Sequence, residues 1–317
     1  MDDAPVIVIA GPTASGKSGL AMTLAEALDG TIVNADSMQV YSDLRILTAR
    51  PSAKDEARAP HRLYGCRDAA NMASAADWMR DARSAISEIR EGGHRPIVVG
   101  GTGLYLRALM EGIAEIPDVP SDIRTAARAR HREIGPEAFH KELETRDPEI
   151  AARLHVGDSQ RALRAWEVFE GTGRPLSEWQ ADPVTPPDMA FRVVTLLPPR
   201  DELHATCELR FDEMLDAGAL DEVGALAARA AGESLDPSLP IFKALGYPAL
   251  SAHLRGEMSL DAARETACQQ TRNYAKRQMT WLRHQLPDSD DSGPAPERIS
   301  ILKLNYIDDD IIFSFLS

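Results

Sequence analysis

The segment VIVIAGPTASGKS, residues 6 to 18, decides the fold of this chain. Five apolar residues precede a loop in which Gly11, Gly16, Lys17 and Ser18 fill the fixed positions of the phosphate-binding pattern G-x-x-x-x-G-K-[ST]. This pattern predicts a strand, a loop and then a helix over KSGLAMTLAEAL. Backbone N–H groups then face an anion, the lysine reaches an outer phosphate and the serine hydroxyl can bind Mg²⁺. We therefore expect a phosphate-binding site, with a purely structural glycine-rich turn as the alternative. The pattern does not indicate which phosphate-containing ligand is bound.

Apolar runs alternate with helical patterns through the first hundred residues. After VIVIA come TIVNA at 31–35, a helical pattern in SAADWMRDARSAISEIREG, and PIVVG at 96–100. The rhythm predicts an α/β fold, a P-loop kinase-like parallel sheet flanked by helices. Ligands bind such sheets at the carboxyl ends of the strands. Asp36 in ADSMQVY and Thr102 in GGTGLY should therefore meet the phosphate loop in one crevice.

A change of pattern near Pro117 predicts a second domain. Helical segments without strands follow, punctuated by prolines, until FRVVTLL at 191–197 resumes the sheet. We expect a helical insertion at 117–187 and a catalytic core formed by 1–116 and 188–317. An amphipathic helix after PPRDEL carries Arg210 beside its apolar face, and Gly218 is its expected stop.

Charge is sorted along the chain. The formal net charge of −14 over 317 residues argues against a protein that coats nucleic acid by bulk electrostatics. A local exception is the segment 264–284, whose single acid, Glu265, stands against five basic residues: Arg264, Arg272, Lys276, Arg277 and Arg283. An acidic, Ser/Pro-containing tail follows from Gln285 onward. The basic helix is either a nucleic-acid surface or simply a solvated face.

Membranes, disulfides and clustered metal ligands are not indicated. No apolar run reaches the length of a membrane span and no signal peptide is seen, so we expect a cytoplasmic protein. The three cysteines are far apart, and the histidines form no HExxH-like cluster. A metal would therefore be a hard cation, Mg²⁺, on phosphate oxygens.

The residues alone leave three functions open. A small-metabolite or nucleoside kinase would use Asp36 as the base for a substrate hydroxyl. A transferase would instead hold a diphosphate that leaves when a nucleophile attacks the carbon attached to it, with Asp36 taking the proton. The third is a non-catalytic switch that binds a nucleotide and a partner.

The chain resembles the tRNA dimethylallyltransferase (tRNA isopentenyltransferase) family, bacterial type, over nearly its whole length. The matching segments are GPTASGKS at 11–18, ADSMQVY at 35–41, TARP at 48–51, GGTGLY at 100–105, DSQRALRAWEVFEGTGRPLSEW at 158–179, RFDEML at 210–215, ALGY at 244–247 and TRNYAKRQMTWLR at 271–283. The resemblance implies transfer of a dimethylallyl group from its diphosphate to the exocyclic amine of the adenosine at tRNA position 37, next to the anticodon.

The same resemblance assigns roles to individual residues. It makes Asp36 the general base, lets Thr13 donate to the oxygen that bridges alkyl group and diphosphate, and pairs Arg210 with the pyrophosphate. The diphosphate would lie on the phosphate loop, with Mg²⁺ at Ser18: Gly11, Thr13, Ala14, Ser15, Gly16, Lys17 and Ser18.

The resemblance also implies that the helical insertion at 117–187 binds tRNA and that particular residues contact the tRNA anticodon stem-loop. These contacts fall on Asp36, Ser37, Met38, Gln39, Thr102, Arg124, Gln160, Arg161, Ala162, Leu163, Arg164, Phe242, Lys243, Gly246 and Tyr247. The charge pattern adds Arg272, Lys276 and Arg277. We expect a monomer. The chain departs from the family pattern Gly-Thr-Ala-Lys-Pro at LTARP, where Leu47 replaces a glycine and Arg50 a lysine, so this loop need not copy the family's contacts.

Overall fold

The computed structural model describes residues 4–286 and 298–316 and contains two compact units. We call Met1–Met110 together with Pro187–Ser317 the sheet unit, and Glu111–Pro186 the helical unit.

The sheet unit is built on a parallel sheet that, in the described residues, has six strands in the order β3-β2-β4-β1-β5-β6. The strands are β1 (Val6–Ala10), β2 (Gly30–Asn34), β3 (His61–Arg62), β4 (Arg95–Gly100), β5 (Phe191–Leu196) and β6 (Ile299–Leu304). The central strand β1 pairs with β4 and β5, so that Val8 lies between Val98 and Val193. The predicted α/β class and the four strands predicted from apolar runs are confirmed.

Helices cover the sheet and form the helical unit. In chain order they are α1 (Lys17–Ala27), α2 (Ala53–Arg58), α3 (Ala75–Glu91), α4 (Gly103–Glu111), α5 (Ser121–Arg146), α6 (Pro148–Arg153), α7 (Ser159–Thr172), α8 (Leu176–Ala181), α9 (Arg200–Asp216), α10 (Ala219–Glu233), α11 (Tyr247–Leu254), α12 (Leu260–Gln285) and α13 (Asp309–Leu316). A 3₁₀ turn, Pro240–Lys243, precedes α11.

Both faces of the sheet are buried, as expected of a parallel sheet. Val6 and Val8 face one apolar cluster, which also takes in residues of α3, α4 and α9–α12. Ile7 and Ile9 face a second cluster, which contains residues of α1 and α13. Because successive side chains alternate between the faces, the run VIVIA supplies both clusters at once.

The sixth strand and the helix after it are a feature that the sequence analysis missed. The sequence predicts an acidic tail from Gln285 onward, yet β6 pairs in parallel with β5 and Ile312 of α13 is fully buried. The acidic, proline-containing stretch before ISILKL hid the strand. Residues 287–297 of the expected tail lie outside the described residues.

The helical unit has its own core, with Phe139, Leu143 and Trp166 among its buried residues. Helix α5 breaks at Gly135, whose φ of 77° only glycine adopts at low cost, directly before Pro136. The buried carboxylate of Asp147 accepts hydrogen bonds from the backbone of Ile150 (3.0 Å) and Ser177 (2.9 Å), which joins α6 to α8. Within the described residues of the whole chain, no helix is both long and apolar enough to cross a membrane.

Candidate active site

The phosphate loop has the backbone shape that its glycines permit. Gly16 has a φ of 83° and begins α1, and Ala14 also adopts a positive φ, 65°. A Cβ on Gly11 would lie 2.5 Å from Ser15 Oγ, so this position admits only glycine without a shift. Ser15 Oγ is buried and forms no hydrogen bond within the described residues. A buried hydroxyl without a partner fits a loop that is completed by an anion.

Lys17 lies in the first turn of α1, where its Nζ donates to the carbonyl of Pro12 (3.1 Å). Burial lowers the pKa of Lys17 from 10.5 to about 8; Asp36 opposes this shift and Arg210 adds to it. The ammonium is therefore poorly solvated in the free protein, and an arriving anion would favour its charged form.

Thr13 and Arg210 meet although 197 positions separate them in the chain. Helix α9 carries Arg210, whose Nη2 donates to Thr13 Oγ1 at 2.8 Å. Burial lowers the pKa of Arg210, with the charge of Asp36 among the groups that oppose the shift. The structure therefore brings together the two residues that the resemblance linked to the leaving group.

Asp36 follows β2 in a turn that side chains hold in place. Its backbone N–H donates to Asn34 Oδ1 (2.8 Å), and its own Oδ1 accepts from the N–H of Met38 (2.8 Å). Within the described residues no hydrogen bond engages Oδ2. One oxygen of this carboxylate thus shapes the turn, while the other stays available for a proton.

Thr102 supports the same turn from the neighbouring strand β4. Its Oγ1 accepts from the N–H of Ser37 (3.0 Å), and its N–H donates to the carbonyl of Ala35 (3.3 Å). A Cβ on Gly100 would lie 2.1 Å from that carbonyl oxygen, which explains the glycine. The carboxyl ends of β2 and β4 are therefore in direct contact, as the sequence predicts.

Gln278 of α12 is a site residue that the sequence analysis missed. It is 5 % exposed; its Oε1 accepts from the N–H of Thr13 (2.9 Å), and its Nε2 donates to the carbonyl of Gly101 (2.9 Å). It lies within the matching segment TRNYAKRQMTWLR, where the basic residues are the stronger sequence signal and a neutral amide is not distinguished from its neighbours.

Several residues expected to touch tRNA surround this site in the sheet unit. Met38 is partly buried. The side-chain N–H₂ of Gln39 donates hydrogen bonds to the carbonyls of Thr48 (2.8 Å) and Ala49 (3.0 Å). Gln39 therefore holds the loop of residues 45–50, and its carbonyl oxygen is what it can offer to a ligand.

The turn before α11, where tRNA contacts are expected, exposes only some of its side chains. Lys243 is exposed and Phe242 partly buried, whereas Gly246 has a φ of 87° and Tyr247 is only 7 % exposed. The tRNA contact expected at Tyr247 stays a prediction, and its side chain packs into the core of the sheet unit.

Leu47 and Arg50, the two departures from the family pattern, have structural roles. Leu47 is buried in the core, with its Cδ1 3.1 Å from where a Cβ on Gly246 would lie. The Arg50 guanidinium donates to the carbonyls of Tyr41 and Ser42, both at 3.1 Å. It packs so closely on Gly65 that a Cβ there would overlap it. Arg50 thus secures the loop from inside.

The basic face of α12 divides into paired and exposed cations. Arg272 forms an ion pair with Glu208 of α9, whereas Lys276 and Arg277 are exposed. These two line an open groove of about 620 Å³ together with Asn273, Thr280, Trp281, His284 and Gln285. Of the three cations proposed from charge, Lys276 and Arg277 are the better placed for a phosphate.

The predicted residues of the helical unit lie on α5 and α7. Arg124 lies near the start of α5, while Gln160, Arg161 and Arg164 are exposed on α7 and Leu163 is half-buried. Ala162 is 3 % exposed and packs in the core of this unit, so the contact expected there stays a prediction that its side chain does not support. It alternates with exposed neighbours because α7 turns one face inward.

In the described part of the chain, no group of three or more His, Cys, Asp or Glu side chains could hold a metal ion. Ser18 is exposed in the first turn of α1, and its hydroxyl forms no hydrogen bond within the described residues. One free hydroxyl beside a phosphate loop fits a cation that takes its remaining ligands from phosphate and water.

Comparison with known proteins identifies the family. Residues 39–285 match the family model described as IPP transferase. The chain belongs to the IPP transferase family. It is 54 % identical over 303 residues to a tRNA dimethylallyltransferase of Rhodospirillum centenum, covering 94 % of this chain and 95 % of that one. The corresponding protein of Bradyrhizobium sp. (strain BTAi1) is 52 % identical, with 92 % and 95 % covered.

Solved structures agree with this membership. The full-length tRNA isopentenylpyrophosphate transferase of Bacillus halodurans is 30 % identical, with a TM-score of 0.64, and the match covers 99 % of this chain and 97 % of that one. A eukaryotic dimethylallyltransferase described as acting on tRNA is 27 % identical, with a TM-score of 0.77, covering 95 % and 74 %. The IPP transferase fold thus extends over both units.

Proposed function

We propose that this protein transfers a dimethylallyl group from dimethylallyl diphosphate to the exocyclic amine of the adenosine at tRNA position 37. The observation that carries the proposal is the hydrogen bond from Arg210 to Thr13 at the mouth of a phosphate loop that Asp36 also approaches. The phosphate loop alone would suggest a kinase, but the relatives of this chain carry the name tRNA dimethylallyltransferase.

The nucleophile explains the need for Asp36. An adenine amine is a poor nucleophile because its lone pair is conjugated with the ring. As its nitrogen bonds to the allylic carbon, the bond from that carbon to the bridging oxygen breaks and one amine proton leaves. Asp36 Oδ2, which no hydrogen bond within the described residues engages, accepts that proton. General-base assistance is worth about 10²–10⁴-fold in rate.

The phosphate loop stabilises the other product, diphosphate. The Thr13 hydroxyl donates a hydrogen bond to the bridging oxygen, while Arg210, which already donates to that hydroxyl, fixes its direction. Lys17 and the N-terminal end of α1 face the outer phosphate. Mg²⁺ at Ser18 would add charge neutralisation when bound.

tRNA is bound, in this proposal, by a limited set of exposed groups on each unit. Lys243, Lys276 and Arg277 serve the sheet unit, and Arg161 and Arg164 serve the helical unit. The target base is splayed out of the anticodon loop and read in a pocket, at a cost of about a few kcal/mol.

We also propose that the protein acts as a monomer in the cytoplasm.

Incubation with bulk tRNA, magnesium and either labelled dimethylallyl diphosphate or γ-labelled ATP tests the activity. We expect label from the first in RNA, released as a modified adenosine on nuclease digestion. Phosphoryl transfer from ATP to a small molecule, with no prenyl label in RNA, would instead establish the kinase alternative.

Salt dependence tests the tRNA surface of α12. The double variant Lys276→Ala/Arg277→Ala should bind tRNA more weakly, and its plot of log affinity against log salt should be shallower by up to about 1.4 to 1.8, since each lost phosphate contact removes about 0.7 to 0.9 from the slope. Arg272→Ala should have a smaller effect because Arg272 is already paired with Glu208.

Filter binding at several salt concentrations measures these slopes. Arg80→Ala/Arg95→Ala is the matched control: it also removes two positive charges, from α3 and from the amino end of β4. Equal slopes of log affinity against log salt for the wild type, the test variant and the control variant would show that Lys276 and Arg277 do not contact tRNA phosphates.

A further inference from the structure

A buried side-chain amide of helix α12 is hydrogen-bonded to the phosphate loop. Gln278 accepts from the N–H of Thr13 and donates to the carbonyl of Gly101, both at 2.9 Å, and it is 5 % exposed. The fit is tight: a Cβ on Gly101 would lie 2.3 Å from Gln278 Nε2 and 2.6 Å from the carbonyl oxygen of Gly11. The loop after β1, the loop after β4 and α12 therefore share one contact point.

The same connection reaches the turn of Asp36. Gly101 precedes Thr102, whose Oγ1 accepts from the N–H of Ser37 (3.0 Å). Tyr274, one turn before Gln278 on α12, is partly buried beside Thr102, and burial raises the pKa of its hydroxyl. Two hydrogen bonds of Gln278, the covalent chain from Gly101 to Thr102 and the hydrogen bond from Ser37 to Thr102 thus connect Thr13 with Ser37.

The two ends of this path carry opposite halves of the reaction. Thr13 stands at the leaving group and Asp36 at the nucleophile, on loops that leave different strands. Each loop has its own local hydrogen bonds, but local bonds do not fix the distance from one loop to the other. An amide can do so, because it accepts on one side and donates on the other within a rigid plane.

We propose that Gln278 is a positioning residue that sets the distance between the leaving-group donors, Thr13 and Arg210, and the base, Asp36. The assignment rests on the proposed prenyl transfer. Gln278 touches neither substrate; it acts through Thr13 and Gly101. Misplacement of reacting groups by about 1 Å costs about 10²-fold in rate, so the loss of this bridge should be seen in the chemical step.

Two variants of Gln278 test the proposal. Gln278→Met keeps the volume and removes both hydrogen bonds, whereas Gln278→Glu keeps an acceptor for the Thr13 N–H but cannot donate to Gly101. We expect Gln278→Met to lower kcat by about 10- to 100-fold, with KM for both substrates changed less than about threefold. Gln270→Met, at a partly exposed position of the same helix, is the control and should leave kcat unchanged.

A double-mutant cycle separates positioning from a general loss of structure. If Gln278 acts by placing Thr13, then Gln278→Met should cost little further activity in a Thr13→Val background. Full additivity of the two losses, a kcat within about twofold of wild type, or a change confined to KM would each overturn the proposal. All rates are taken well below the melting temperature of each variant.

The outcomes remain distinct from those of the proposed function. An inactive wild-type protein would refute prenyl transfer itself, whereas an active wild type with fully active Gln278 variants would refute only the positioning role. If neither variant folds, Gln278 is a structural residue of the α12 contact, and the proposal is equally wrong.

Discussion

Asp36→Asn should reduce the rate of prenyl transfer by about 10²–10⁴-fold, while the dissociation constants of tRNA and dimethylallyl diphosphate stay within a few-fold of wild type. The variant loses the proton acceptor and little else. Its amide oxygen can still accept from the N–H of Met38, and its backbone N–H can still donate to Asn34, so the turn after β2 keeps its shape.

Single-turnover kinetics with excess enzyme measure this rate without interference from product release. Asp261→Asn, an exposed position in the first turn of α12, is the matched control and should leave the rate unchanged. A variant that reacts at the wild-type rate once its substrates are saturating would remove Asp36 from the chemistry and leave it a role in binding.

Lys17→Met should abolish tight binding of the diphosphate and leave tRNA affinity nearly intact. The ammonium is the group of the phosphate loop that carries a full charge, and burial means that little water competes for it. Methionine keeps most of the length and volume of the side chain, so the loop should keep its fold.

The lowered pKa of Lys17 gives the wild-type protein a pH signature. Burial holds the pKa at about 8 in the free protein, and a bound anion raises it because opposite charges favour the charged form. Below pH 8 the lysine is already protonated and the affinity for pyrophosphate is nearly flat. Above pH 8 binding requires uptake of a proton, so the dissociation constant should rise about tenfold per pH unit.

Calorimetric titration with inorganic pyrophosphate between pH 7 and 9.5 measures that slope. Lys17→Met should show weak binding with no such rise, and Lys276→Met, which removes an exposed lysine, should follow the wild type. A wild-type curve that stays flat to pH 9.5 would mean that Lys17 keeps its ordinary pKa or does not reach the diphosphate.

The sequence predicts the fold well where a local pattern is strong. The phosphate loop and its flanking elements are encoded within residues 6–28, and Asp36 and Thr102 could be placed because parallel strands end at one edge of the sheet. β6 was missed because six residues after an acidic, proline-containing stretch resemble a tail. Their role depends on pairing with β5, which no local pattern reveals.

The site features that the sequence does not predict depend on side-chain contacts between residues far apart in the chain. Gln278 and Thr13 are 265 positions apart, and nothing in the residues around either one indicates the other. Charge patterns were also ambiguous: Arg272 belongs to the same basic run as Lys276, yet its partner Glu208 lies on another helix. The matched segment that contains Ala162 is continuous in sequence, whereas burial alternates along α7, so neighbouring residues of the segment face different surroundings.

The position of β1 between β4 and β5 has a consequence for synthesis on the ribosome. β1 can pair with β4 once residue 100 has emerged, but its other edge must wait for β5, after the whole of the helical unit has been made. At about 5–20 residues per second, that edge stays open for roughly 5–20 s after β4 appears. During this time the helical unit can fold through its local contacts, while the nascent sheet presents an unpaired apolar edge, which is where a chaperone would be needed.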